Sequence, residues 1–164
     1  MSPVRALATG LAAGAMGTGA MTAYQTITSM RKGRSLHDAL VPQVPDSWEE
    51  APAPAQVGYR VVHGVFERDA STRLAPAMTN LVHWAYGTGW GGLYGLVAGG
   101  RGAGPGSGAS FGTAVWSSGY AVLPAMGIYD PPWKYSAKSL AKDWSYHLVY
   151  GVATGVAFRL LDRG

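Results

Sequence analysis

The sequence predicts an all-α protein: an integral membrane four-helix bundle built from two parallel two-helix repeats, with short interfacial helices beside it. Three observations predict it. Long stretches carry no charge, a His-x-x-Tyr-Gly motif occurs twice, and glycines recur four residues apart in every stretch.

The charges are few, 13 Lys+Arg and 9 Asp+Glu in 164 residues, and they are clustered. Arg5 and Arg31 enclose 25 residues without Asp, Glu, Lys or Arg; Arg73 and Arg101 enclose 27, and Arg101 and Asp130 enclose 28. A fourth stretch, Trp144 to Phe158, has 15 and reaches 18 when Leu160 and Leu161 join it past Arg159. About 20 mostly apolar residues cross the ~30 Å of hydrocarbon in a bilayer, so three stretches suffice and the fourth is marginal. Helices are expected at about 6–30, 79–100, 107–129 and 144–161, with a polar loop over 31–73. Mean hydropathy is only +0.05, because Gly, Ala, Ser and Thr fill the stretches in place of Leu and Ile. A soluble, glycine-rich domain is the alternative, but soluble helices of this length normally carry a polar face.

The first helix has the positive residue, small-residue core and Ala13-Gly14-Ala15 site of a secretory signal, yet its uncharged run continues to Met30, so a retained helix is expected. In the loop, Pro42, Pro45, Pro52 and Pro54 favour irregular chain. Val57, Val61, Val62, Val65 and Phe66 then recur at helical spacing, predicting a short amphipathic helix over Ala55–Asp69 on the membrane surface or against the bundle. Gly58 and Gly64 count against it. Pro76 suits the first turn of the second helix, and a turn around Arg101 leads to the third, which Pro124 is expected to kink. Asp130-Pro131-Pro132 is a stop, and Tyr135 to Asp143 reads as a short interfacial helix among Tyr129, Trp133, Tyr135, Trp144 and Tyr146.

Nine basic residues flank one side (Arg31, Lys32, Arg34, Arg60, Arg68, Arg73, Lys134, Lys138, Lys142) and four the other (Arg5, Arg101, Arg159, Arg163). The positive-inside rule then places both termini of a multi-pass inner-membrane protein outside the cytoplasm. That placement also explains a pI near 9.5 without nucleic acid as a partner. The absence of Cys removes disulfides and Cys-ligated metal.

The repeat is the most specific signal. His83-Trp84-Ala85-Tyr86-Gly87 recurs 64 residues later as His147-Leu148-Val149-Tyr150-Gly151, with Gly91 matching Gly155 and Tyr94 matching Phe158. Gly17-Thr18 matches Gly112-Thr113 at an offset of 95. With two helices per copy, the second and fourth run parallel and hold their histidines at equal depth. Small-xxx-small patterns (Gly10-Gly14, Gly87-Gly91-Gly95, Gly104-Gly108-Gly112, Gly151-Gly155) assign helix packing to Gly87, Gly91, Gly95, Gly151 and Gly155, with Tyr86 and Tyr150 adding hydrogen bonds. The turn at Gly99 to Gly108 has no Walker lysine and is not a nucleotide site.

The histidines stand on the same rows: Thr79, His83, Gly87, Gly91, Gly95, and Asp143, His147, Gly151, Gly155, Arg159. Asp143 is placed to hydrogen-bond His147, and Thr79 is the weaker equivalent for His83. The functional alternative is that His83 and His147 bind haem iron or another metal. The structural one, favoured because two histidines lack a third ligand, is that they cross-link helices. His37 and His63 read as surface residues. Histidine-gated transport ranks below packing, as no Asp or Glu lies deep in a span. Ser117 and Ser118 have no neighbouring base, so no catalytic set is expected, and neither is a dedicated metal site or a required cofactor.

Gly14, Gly17 and Thr18, the two His-x-x-Tyr-Gly motifs and Pro124-x-x-Gly127 together resemble YagU-type bacterial inner-membrane proteins. The resemblance covers most of the chain and implies an accessory or stress-related membrane protein with no substrate assigned; the long proline-containing loop departs from the pattern. The expected partner is the lipid bilayer, with a homodimer or a larger membrane complex as the expected association.

Overall fold

The computed structural model describes residues 1–98 and 102–163. Among them are six α-helices and two 3-10 turns, and no strand: α1 (Pro3–Met30), α2 (Leu36–Leu40), α3 (Ala53–Phe66), α4 (Ala75–Ala98), α5 (Pro105–Ala125) and α6 (Ala137–Asp162). The expected helix end at residue 100 and the turn around Arg101 lie outside the described residues.

Helix starts follow local chemistry. Ser2 caps α1 by accepting from Arg5 N, and Ser136 caps α6 by accepting from Ser139 N at 3.1 Å. The Ser136 cap merges the expected interfacial helix and the marginal fourth span into one 26-residue helix. Nothing in Tyr135–Asp143 breaks a helix, so the chain continues through Lys142 and Asp143.

The end of α5 also differs from expectation. Pro124 does not kink a longer helix; it sits in the last turn, and the helix stops at Ala125. Gly127 takes φ +66°, its N–H donates to Pro124 O, and Ile128 N–H donates to Leu123 O. These are the two bonds of a Schellman cap, whose left-handed position glycine fills without strain. The Pro124-x-x-Gly127 signature is therefore a helix stop.

Two tight antiparallel hairpins result. In α1/α4, a Cβ on Gly14 would stand 2.7 Å from both Gly87 O and Gly91 Cα, and one on Gly10 would stand 2.9 Å from Gly95 Cα. In α5/α6, a Cβ on Gly151 would stand 2.6 Å from Gly112 Cα, and one on Gly155 would stand 3.0 Å from Gly108 Cα. These contacts pair Gly10, Gly14 and Thr18 with Gly104, Gly108 and Gly112, an offset of 94. The sequence match of Gly17-Thr18 with Gly112-Thr113 is thus one residue out of contact register, which on a helix is a rotation of ~100°.

α1 also packs along α6, where Gly17 meets the Tyr150 carbonyl, whereas the α4 and α5 backbones stay apart and meet through side chains such as Tyr94 and Ser107. Both α4 and α6 run antiparallel to α1, so they are parallel to each other, and the start of α1 lies near the end of α6. An aromatic layer fills the space between the hairpins. Tyr94 meets Phe158 edge-on at 5.7 Å and Phe111 at 4.9 Å, while Phe111 lies 5.8 Å from Tyr150. The buried threonine hydroxyls are satisfied within their own helices: Thr18 donates to Gly14 O and Thr154 to Tyr150 O, each at 2.8 Å.

α3 lies on α4, with Ala55 buried beside Ala75 and Gly58 close to Met78 and Val82. Gly58 therefore serves the helix contact, while nothing approaches Gly64. Val61, Val65 and Phe66 face outward. Among the described residues no helix is long and apolar enough to cross a membrane. The four long helices have 28, 24, 21 and 26 residues, so the shortfall is in apolarity, which their Gly, Ala, Ser and Thr hold down.

Candidate functional site

The wide backbone separation of α4 and α5 accompanies a cavity of about 390 Å³ at the end of the bundle nearest the basic loops. α1 contributes Met21 and Gln25; α3 covers one side with Ala53, Pro54 and Val57. α4 supplies His83, Tyr86 and Trp90, α5 supplies Trp116, Ser118 and Tyr120, and α6 supplies Asp143 and His147. The volume falls in the range of small-molecule sites, and the mixture of aromatic walls and few polar groups is the usual composition of one.

The two repeated histidines line this one cavity but are held differently. His147 Nδ1 lies 2.9 Å from the backbone carbonyl oxygen of Asp143, whereas the Asp143 carboxylate is 3.9 Å away. The partner is thus the carbonyl one turn back, not the carboxylate that the sequence suggested. His83 reaches across to α1, with Nε2 3.4 Å from Thr22 Oγ1. Thr79 is not its partner; the Thr79 hydroxyl donates to Ala75 O at 2.8 Å.

The repeated tyrosines have diverged further. Tyr150 is 2% exposed and its hydroxyl donates to Gly87 O at 2.7 Å, tying α6 to α4 at the glycine contact. Tyr86 is 48% exposed, and its hydroxyl sits 3.2 Å from Ser118 Oγ, spanning the α4/α5 gap. One copy of the motif therefore builds the core and the other edges the cavity. Gly87, Gly91, Gly95, Gly151 and Gly155 all lie at helix contacts where a Cβ would meet backbone or Thr18. His37 and His63 are exposed beside Asp38 and Asp69.

Sequence reasoning missed Thr22, Gln25, Trp116 and Tyr120, and weighed Ser118 only as a nucleophile. Thr22 was within reach: continuing the Gly10, Gly14 row by fours leads through Thr18 to Thr22, on the face that meets α4. Trp116 Nε1 is a buried N–H with no acceptor among the described residues, a group whose desolvation costs about 1–3 kcal/mol when left unmade. Among the described residues no group of three or more His, Cys, Asp or Glu converges as metal ligands do. The arrangement supplies imidazole lone pairs, hydroxyls and aromatic faces in a largely apolar enclosure, which suits binding better than acid–base turnover. Compared with known proteins, the chain matches no protein-family model, no curated protein and no solved structure.

Proposed function

We propose that the chain is a small integral membrane protein, a glycine-packed four-helix bundle acting as an accessory or structural component of a bacterial inner membrane. The observation that carries this reading is the inversion of side-chain size across the bundle. At the helix–helix contacts of the four long helices stand Gly10, Gly14, Thr18, Gly91, Gly112 and Gly155, with large side chains inside confined to the aromatic layer and its neighbours, whereas Leu81, Leu93, Leu96, Val97 and Leu160 face outward. In water so apolar a surface drives association. In hydrocarbon it matches its solvent, and helices then associate through small residues and close backbone packing. The modest apolarity of each single helix follows from the same inversion, because its packing face gives up large side chains while its outer face keeps them. Internal satisfaction of Thr18, Thr22, Thr26 and Thr154 adds support, as no water is at hand to do it.

In this reading the basic loops lie in the cytoplasm and both termini lie outside, as the Lys/Arg asymmetry implies. The chain has no Cys, so single substitutions give clean labels. Ser2→Cys should react with a membrane-impermeant maleimide on intact cells, and Ser35→Cys should not. Retention in the membrane pellet through an alkaline carbonate wash is also expected. Release of the protein into the supernatant would overturn the membrane reading.

A second reading, haem ligation by His83 and His147, is favoured by the one cavity they share. Its test is absorption of the purified protein after cofactor-replete expression, where the lack of a Soret band would exclude it.

A further inference from the structure

The cavity wall holds one carboxylate and no basic side chain to match it. Asp143 lines the cavity from α6, and its carboxylate stands between two other lining groups: His147 Nδ1 at 3.9 Å, one turn on, and the Tyr120 hydroxyl of α5. His147 Nδ1 is taken by the Asp143 carbonyl oxygen at 2.9 Å, so the carboxylate gains no bond there. The Asp143 side chain is 34% exposed, which leaves it open to an occupant. Among the described residues no Lys or Arg lines the cavity or pairs with this carboxylate. Lys142 lies over the Tyr146 ring, 5.5 Å from its centroid, and Lys134 pairs with Asp130. Arg60 comes to the rim, where it donates to Met126 O, but is not a lining residue. This end of the bundle does not repel cations as a whole: beside its nine basic residues it holds eight of the nine Asp and Glu, all but Asp162.

The rest of the wall is largely aromatic. The Tyr120 ring centroid lies 5.2 Å from that of Trp116 and 5.7 Å from that of Tyr129, and these three line the cavity together with Tyr86 and Trp90 of α4. A neutral occupant would strip water from the carboxylate and return nothing, and an anion would be repelled by it. A cation pairs with the carboxylate and is attracted by the electron-rich rings. A quaternary ammonium does both without bringing N–H groups that a mostly apolar lining would leave unsatisfied. From these observations we propose that the cavity binds a small quaternary-ammonium cation, with its charge at Asp143 beside Tyr120. The proposal goes beyond the accessory reading and stands whether or not a bilayer surrounds the bundle.

The test is isothermal titration of the purified full-length protein in nonionic detergent at about pH 8, where an ordinary imidazole is neutral. Three ligands are compared against empty micelles: phenyltrimethylammonium, its uncharged carbon isostere tert-butylbenzene, and benzenesulfonate. The cation should bind saturably and the sulfonate should not. Asp143→Asn keeps the side-chain shape and removes the charge. It should weaken the cation about tenfold, the size of a partly exposed charge pair, and leave tert-butylbenzene within about twofold, which shows that the cavity survives. Asp143→Glu, which keeps the charge, should hold the cation to within about threefold of the wild type. If Asp143→Asn does not fold, the wild-type contrast between cation and sulfonate decides, since it needs no variant. No saturation by the cation beyond empty micelles overturns the proposal. So does sulfonate bound as tightly as the cation, which would hand the site to Arg60. Asp143→Asn weakening the cation no more than tert-butylbenzene overturns it as well.

Discussion

Replacing Gly14 by Ala tests whether the glycines, and not the aromatic layer alone, hold the hairpins together. The added methyl would stand 2.7 Å from Gly87 O and 2.7 Å from Gly91 Cα, both backbone atoms that no rotamer change can move. Restoring ordinary contact parts α1 and α4 by about 0.7 Å, a gap that forfeits a quarter to a half of each affected dispersion contact. Overpacking of this kind costs ~1–3 kcal/mol. Against it stands the better helix propensity of Ala, worth up to ~1 kcal/mol. A net loss of ~1–2 kcal/mol is expected, read as a lower midpoint in thermal unfolding of the purified protein. Gly89→Ala supplies the opposite sign, since nothing lies within 4 Å of its added Cβ and only the propensity gain remains. If Gly14→Ala raises the midpoint as Gly89→Ala does, the backbones do not approach as described and the packing argument fails.

The same measurement checks three further expectations. Tyr150→Phe removes the donor to Gly87 O and should cost ~1–3 kcal/mol, whereas Tyr86→Phe should change stability by less than ~0.5 kcal/mol because its hydroxyl is at an exposed rim; equal effects would contradict the divergence of the two motifs. Gly127→Ala forces a side chain into φ +66° and should cost about 1 kcal/mol, and an unchanged midpoint would argue against the Schellman stop. His147→Gln and His83→Gln test cross-linking: of the bonds the two histidines make, the 3.4 Å contact of His83 to Thr22 joins two helices, so His83→Gln should be the more destabilising, and no loss in either would leave the histidines free of a structural role.

The parts of the fold legible in the sequence were those set by local periodicity. Charge-free length located four long helices, and glycines four apart marked faces that backbone contacts now occupy. Helix ends were harder. Pro124 signals both a kink and a stop, and the decision came from Gly127 three residues on, through cap bonds that no single residue announces. The break expected before Trp144 did not occur, since Lys142 and Asp143 end a charge-free stretch without ending a helix. Contact register was legible to one residue: aligning identical pairs chose Gly17-Thr18, whereas packing aligns the smallest atoms at the interface. The cavity was not legible at all. It depends on which long-range neighbours fail to meet, and a repeat predicts that they meet equally.

That failure is what gives the duplicated pattern a site. In a strict two-copy bundle, α1 against α6 would be matched by α5 against α4, and each tyrosine would reach the opposite glycine carbonyl. Tyr150 makes that reach and closes its half of the molecule. Tyr86 turns to Ser118 instead, and α4 and α5 remain apart with His83, Trp116 and His147 in the space between. The two histidines come from equivalent positions, yet one contacts a neighbouring helix through Nε2 and the other its own preceding turn through Nδ1. A symmetric pair would suit a symmetric occupant such as a metal bound between like atoms. The broken pair instead presents two differently held rings to the one cavity they line, the first engaged through Nε2 and the second through Nδ1.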